Sequence, residues 1–69
     1  MIEARTLYQN IRSDRVYYVI ADMDGTPVYR DRKVLAVQWR NGKFYGAMRF
    51  IDLTTSDYIF VGTPSGEGF

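Results

Sequence analysis

Val34-Leu35-Ala36-Val37-Gln38-Trp39-Arg40-Asn41-Gly42-Lys43-Phe44-Tyr45-Gly46-Ala47-Met48-Arg49 holds the signal from which the rest of the chain is read. Asn41-Gly42 supplies two residues that tolerate positive φ, as a type I′ turn demands, between runs rich in aliphatic and aromatic side chains. The expectation is a β-hairpin with strands over 33–40 and 43–51. A two-residue turn sets the register: Arg40 faces Lys43, Trp39 faces Phe44, Gln38 faces Tyr45, Val37 faces Gly46, Ala36 faces Ala47, Leu35 faces Met48 and Val34 faces Arg49. Side chains alternate along each strand, so Leu35, Val37, Trp39, Phe44, Met48 and Phe50 share one face, predicted to be the core. Val34, Ala36, Gln38, Arg40, Lys43, Tyr45, Ala47 and Arg49 share the other, predicted to lie partly in water.

Upstream, Arg15 to Ala21 is β-branched and aromatic on both faces and reads as a central strand ending at the turn cluster Asp22-Met23-Asp24-Gly25-Thr26-Pro27. Val28 to Arg30 can return as a short strand, with Pro27 holding it to an edge or loop. The charged run from Asp31 to Lys33 turns the chain. Downstream, Leu53-Thr54-Thr55-Ser56 is expected to form a single helical turn before a strand at 57–62, and residues 63–69 have the composition of a flexible tail. The first eleven residues fit two patterns: Ala4, Leu7, Tyr8 and Ile11 at helical spacing, or Ile2, Ala4, Thr6 and Tyr8 at strand spacing. The strand is preferred, because five strands can close a barrel whereas four leave an open edge.

Strands near 2–9, 15–22, 33–40, 43–51 and 57–62 follow one another in the order of Src-homology-3-like barrels. Ala4-Arg5-Thr6-Leu7-Tyr8 resembles the Ala-Leu-Tyr opening of that family, and Ser56-Asp57-Tyr58-Ile59 resembles its Ser-Asn-Tyr-Val, with Thr55 where the family has proline. By this resemblance Trp39 corresponds to the tryptophan of the ligand groove, and Asp22, Asp24 and Asp31 to the acidic long loop. The implied fold is all-β: a small five-stranded antiparallel Src-homology-3-like barrel or strongly curved sheet with one short helical turn, occupying 1–62 as a single domain. An analogy at the level of fold does not carry proline-peptide binding with it.

Composition narrows function further. At 69 residues the chain is one domain that buries roughly 60% of its unfolded surface. It contains no Cys and no His, so disulfides, thiolate nucleophiles, imidazole bases and the common zinc sites are all excluded. The net charge of +1 gives neither a basic nor an acidic field. No apolar run reaches the length of a membrane span and no secretory signal pattern opens the chain, so a cytoplasmic location without membrane contact is the expectation. No cofactor is implied.

Tyr17-Tyr18-Val19-Ile20-Ala21-Asp22-Met23-Asp24-Gly25-Thr26 is similar to the first motif of haloacid-dehalogenase phosphatases, in which Asp22 would be the nucleophile and Asp24 the acid/base. That family also needs a downstream Ser/Thr, a Lys and another acidic magnesium site on a much larger parallel sheet. The plainer reading is an Asp-Gly turn. The spacing of a calcium loop is not completed either, and no metal site is expected.

Seven Arg against two Lys, with six Tyr, favour recognition over catalysis, since planar guanidinium forks and amphipathic rings dominate binding hot spots. The candidate contact face is Gln38, Arg40, Lys43, Tyr45 and Arg49. Arg40 opposite Lys43 is a like-charge pair that an anionic partner would relieve. Asp22, Asp24 and Asp31, flanked by Tyr17, Tyr18 and Tyr29, form a second candidate patch. The function expected is a non-catalytic binding module, a small accessory regulator or inhibitor that docks on a larger protein. Single-stranded nucleic-acid binding is the alternative, with Arg on phosphate and Tyr45 on a base. Homodimerisation through an edge strand is a further option.

Overall fold

The computed structural model describes residues 2–64, so the last five residues of the predicted tail lie outside the described residues. Six strands follow in order: β1 (Leu7–Asn10), β2 (Val16–Val19), β3 (Tyr29–Arg30), β4 (Lys33–Arg40), β5 (Lys43–Ile51) and β6 (Tyr58–Gly62). All pair antiparallel in one sheet. β4 is its organising strand, because Val34-Leu35-Ala36-Val37 is apolar on both faces and tolerates neighbours on both sides. β2 and the short β3 lie along one side of β4, and β5 lies along the other. β1 pairs with β2, and β6 closes the far side of β1.

The fold is therefore all-β and antiparallel, as the sequence implies, but the sheet is neither closed nor strongly curled, and it has six strands instead of five. β5 and β6 remain as its long edges, and the two-residue β3 also pairs on one side only. The physical reason is strand length. β1 and β2 have four residues each, too few to bend and divide their pairing between two sheets, and no bulge in β2 helps them turn. The molecule measures 31 × 31 × 21 Å, flattened as an open sheet should be.

Two local predictions are corrected by side chains that capture backbone groups. The first strand starts at Leu7 rather than near Ile2. Arg5 takes a φ of 62°, and the Thr6 hydroxyl donates to the Glu3 carbonyl at 2.6 Å, so residues 3–6 curl. The expected helical turn at 53–56 is an irregular turn, and no helix occurs among the described residues. Asp52 Oδ1 accepts from the Thr54 N–H at 3.0 Å and from its hydroxyl at 2.5 Å, the local competition that disfavours helix.

The Asn41-Gly42 hairpin forms as read, with φ of 54° and 78°. Arg40, Trp39 and Gln38 face Lys43, Phe44 and Tyr45 as predicted. Beyond them the ladder slips. Ala36 faces Arg49, Leu35 faces Phe50 and Val34 faces Ile51, so β5 has gained two residues across an irregularity that contains Gly46 at φ 81°. A slip of two leaves the paired side chains on either side of the irregularity on their predicted faces, because alternation has a period of two.

Burial is divided between the two faces, with Val37 buried as predicted at 3% exposed. Apolar clusters occupy both sides of the sheet: Tyr8, Val19, Val34 and Leu53 on one, Leu7, Tyr18 and Val37 on the other. Val34 and Ala36, expected toward water, are 1% and 0% exposed, whereas Phe44 and Met48, expected in the core, are 53% and 57% exposed. Ile2 and Ile51 pack against the cluster of Tyr8, Val19, Val34 and Leu53, whereas residues 43–49 of β5 lie exposed at the edge. Trp39 is half-buried, stacked on Tyr18 at 5.7 Å, and Arg49 is exposed.

Candidate binding face

Strand pairing aligns Tyr17, Gln38 and Tyr45 in a row across β2, β4 and β5. The next row of the same face is Val19, Ala36 and Arg49. Ala36, small and fully buried, lies directly opposite Arg49 in that row. Arg15, at the entrance to β2, completes a shallow recess of about 160 Å³ lined by Arg15, Tyr17, Gln38, Tyr45, Ala47 and Arg49, with Gly46 at its rim. Two guanidinium groups, two phenols and one carboxamide line it, and no carboxylate does. Arg15 and Arg49 have no ion pair among the described residues; the ion pair found there joins Arg12 to Asp57 at 2.9 Å.

Of the five nominated contact residues, Gln38, Tyr45 and Arg49 line the recess together. Arg40 instead lays its guanidinium 4.7 Å from the centre of the Tyr45 ring. The strain of placing Arg40 opposite Lys43 is thus eased within the chain by a cation–π contact. That contact also holds the Tyr45 ring. Lys43 stands exposed at the hairpin end, outside the recess lining. Tyr17 is a fixed wall, 7% exposed and in edge contact with Tyr58 at 6.2 Å.

Arg15 was not nominated from the sequence, and Tyr17 was nominated only as a flank of the acidic patch, not as part of this face. Alternation along Arg15-Val16-Tyr17 puts both on one face, but only the pairing of Tyr17 with Gln38 shows that it is the face of Tyr45 and Arg49.

The acidic residues are used differently. Asp22 Oδ1 accepts from the N–H groups of Asp24 at 2.8 Å and Thr26 at 3.0 Å, and Oδ2 accepts from the Thr26 hydroxyl at 2.6 Å. These bonds, the Thr26 hydroxyl foremost, hold its carboxyl below the ordinary carboxylate value. With Gly25 at φ 81° and Ala21 bridged to Pro27, residues 21–27 form a tight self-contained loop. Asp24 is exposed on that loop, and Asp31 sits exposed in the turn between β3 and β4 at φ 57°. Among the described residues no three acidic side chains are grouped so as to hold a metal ion.

The opposite face carries an aromatic cluster. Phe44 lies 5.1 Å from Tyr18 and 5.4 Å from Trp39, ring to ring, and Arg30 lies 5.8 Å from the Phe50 ring. β5 therefore presents cations on one face and exposed apolar groups on the other. No known family model matches the chain, and neither a curated protein nor a solved structure matches it.

Proposed function

We propose that the chain is a non-catalytic binding module, a small accessory regulator or inhibitor that docks on a larger protein through the face bearing Gln38, Arg40, Lys43, Tyr45 and Arg49, extended by Arg15 and Tyr17. One observation carries the reading: two guanidinium groups without acidic partners converge, across three paired strands, on a recess walled by tyrosine. Paired strands fix the backbone that carries these groups before any partner arrives, so ordering on association is confined to side chains, Arg15 and Arg49 foremost. The succession of strands, with a long connection after β2 and the last strand returning beside the first, supports an open relative of the Src-homology-3-like arrangement. A near-neutral chain lacks the cationic surplus of a general nucleic-acid binder, and Arg40 already covers one face of the Tyr45 ring.

The test compares wild type with the Tyr45→Ala/Arg49→Ala double variant as bait, after confirming that the variant's amide spectrum remains dispersed. Proteins retained by wild type and lost by the variant support the face. Identical recovery by both baits overturns it.

A further inference from the structure

The outer edge of β5 is open along its whole length. Its nine residues, Lys43–Ile51, pair with β4 alone, and no other backbone bond to them occurs among the described residues. A strand of that length offers about 30 Å of unsatisfied N–H and C=O groups. It contains no proline and no carboxylate. Lys43 and Arg49 project to the face of the recess, whereas Phe44 joins the aromatic cluster behind, and Met48 is 57% exposed. An edge so constructed discriminates between occupants by charge and by alternation.

We infer that β5 receives an extended peptide segment of the partner, added to the sheet as a further strand, in which acidic and apolar residues alternate. This rests on the docking face proposed above and names its ligand. A peptide laid beside β5 satisfies the open backbone groups and sends successive side chains to opposite faces. Its carboxylates meet Lys43 and Arg49, with the recess between Arg49 and Arg15 taking one of them against the Tyr45 hydroxyl and the Gln38 amide. Its apolar residues meet Phe44 and Met48. Gly46 bends the middle of β5, so the new ladder is firmest at the two ends, around Phe44 and Phe50. A second copy of β5 is a poor occupant, because it would bring a second Lys43 and Arg49 to an edge without one acid. Nucleic acid is also a poor occupant, since it has no backbone able to extend a sheet.

The probe is a synthetic peptide alternating glutamate and valine over the length of β5, blocked at both ends and titrated into the nitrogen-15-labelled full chain. The expected result is a shift of the resonances of residues 43–51 and slowed exchange of the β5 amides that do not bond to β4. Arg49→Ala and Arg15→Ala should each weaken the interaction about tenfold, the loss of one charge-assisted hydrogen bond, while Arg12→Ala, at the residue ion-paired to Asp57 on the β6 side of the sheet, leaves it unchanged. The inference is overturned if the peptide leaves β5 unmoved, or if a lysine–valine peptide or a glutamate block followed by a valine block binds as well. It is equally overturned if oligothymidylate shifts these residues at lower concentration, or if light scattering shows the edge already filled by a second copy. Should the peptide fail while protein capture still depends on Tyr45 and Arg49, the strand-addition inference falls and the docking face stands; should both fail, the face falls with it.

Discussion

Gly46 is the residue on which the geometry of the recess turns. Its φ of 81° lies in the left-handed region, and a Cβ placed there would meet no atom within 4 Å, so any cost of substitution comes from the backbone alone. Gly46→Ala pays about 1–2 kcal/mol for a left-handed L-residue and recovers about 0.4–1 kcal/mol from a less flexible unfolded chain. The net expectation is a loss of about 1 kcal/mol, or a melting temperature lower by about 4–8 °C. D-alanine at the same position, accessible by chemical synthesis in a chain of 69 residues, is a sharper probe. It prefers positive φ, so it should stabilise by about 0.4–1 kcal/mol.

The functional consequence follows from register. If the bulge is lost, Arg49 moves from opposite Ala36 to opposite Val34, about 7 Å along the strand and away from the recess. Urea denaturation of the two alanine epimers, with cross-strand nuclear Overhauser contacts between β4 and β5, reads both effects. Equal stability of the L and D forms would refute the reasoning, because position 46 would then not be left-handed.

Three further outcomes are expected. Val19→Ala empties part of the cluster that includes Tyr8, Val34 and Leu53, and it should cost about 2 kcal/mol in urea denaturation; a change within about 0.5 kcal/mol would place Val19 outside the core. The Asp22 carboxyl titrates below its ordinary value of 3.8, so it contributes stability above that pH which is lost as pH falls through the lower folded value. Thr26→Val should move the midpoint back toward 3.8 in a carbon-13 carboxyl titration, and an unmoved midpoint would show that the hydroxyl is not the cause. Arg12→Ala breaks an ion pair whose side chains are 81% and 40% exposed, so the loss should stay below about 1 kcal/mol and vanish in high salt; a larger, salt-insensitive loss would contradict that assignment.

The Asn41-Gly42 turn, the three cross-strand pairs beside it and the alternation of side chains on both strands are legible in the chain itself, because each depends on dihedral preferences acting within a few residues. For the same reason Gln38, Tyr45 and Arg49 could be assigned to one face before their neighbours were known, and a slip of two residues left that assignment intact. The turn character of Asp22-Met23-Asp24-Gly25 is likewise local, since Asp22 bonds only within its own loop.

Tertiary structure decided the rest. Val34 is buried in a cluster with Tyr8, Val19 and Leu53, against which Ile2 and Ile51 pack, and no periodicity within β4 encodes which distant segment arrives. Arg15 and Tyr17 join the recess only through the pairing of β2 with β4, a contact between segments that other structure separates in the chain. Whether six strands close or stay open depends on how short β1 and β2 become once side chains such as Thr6 and Asn10 have captured the backbone at their ends. Local dihedral preference shapes a turn wherever it occurs, whereas burial and edge exposure belong to a surface only after every other strand has taken its place.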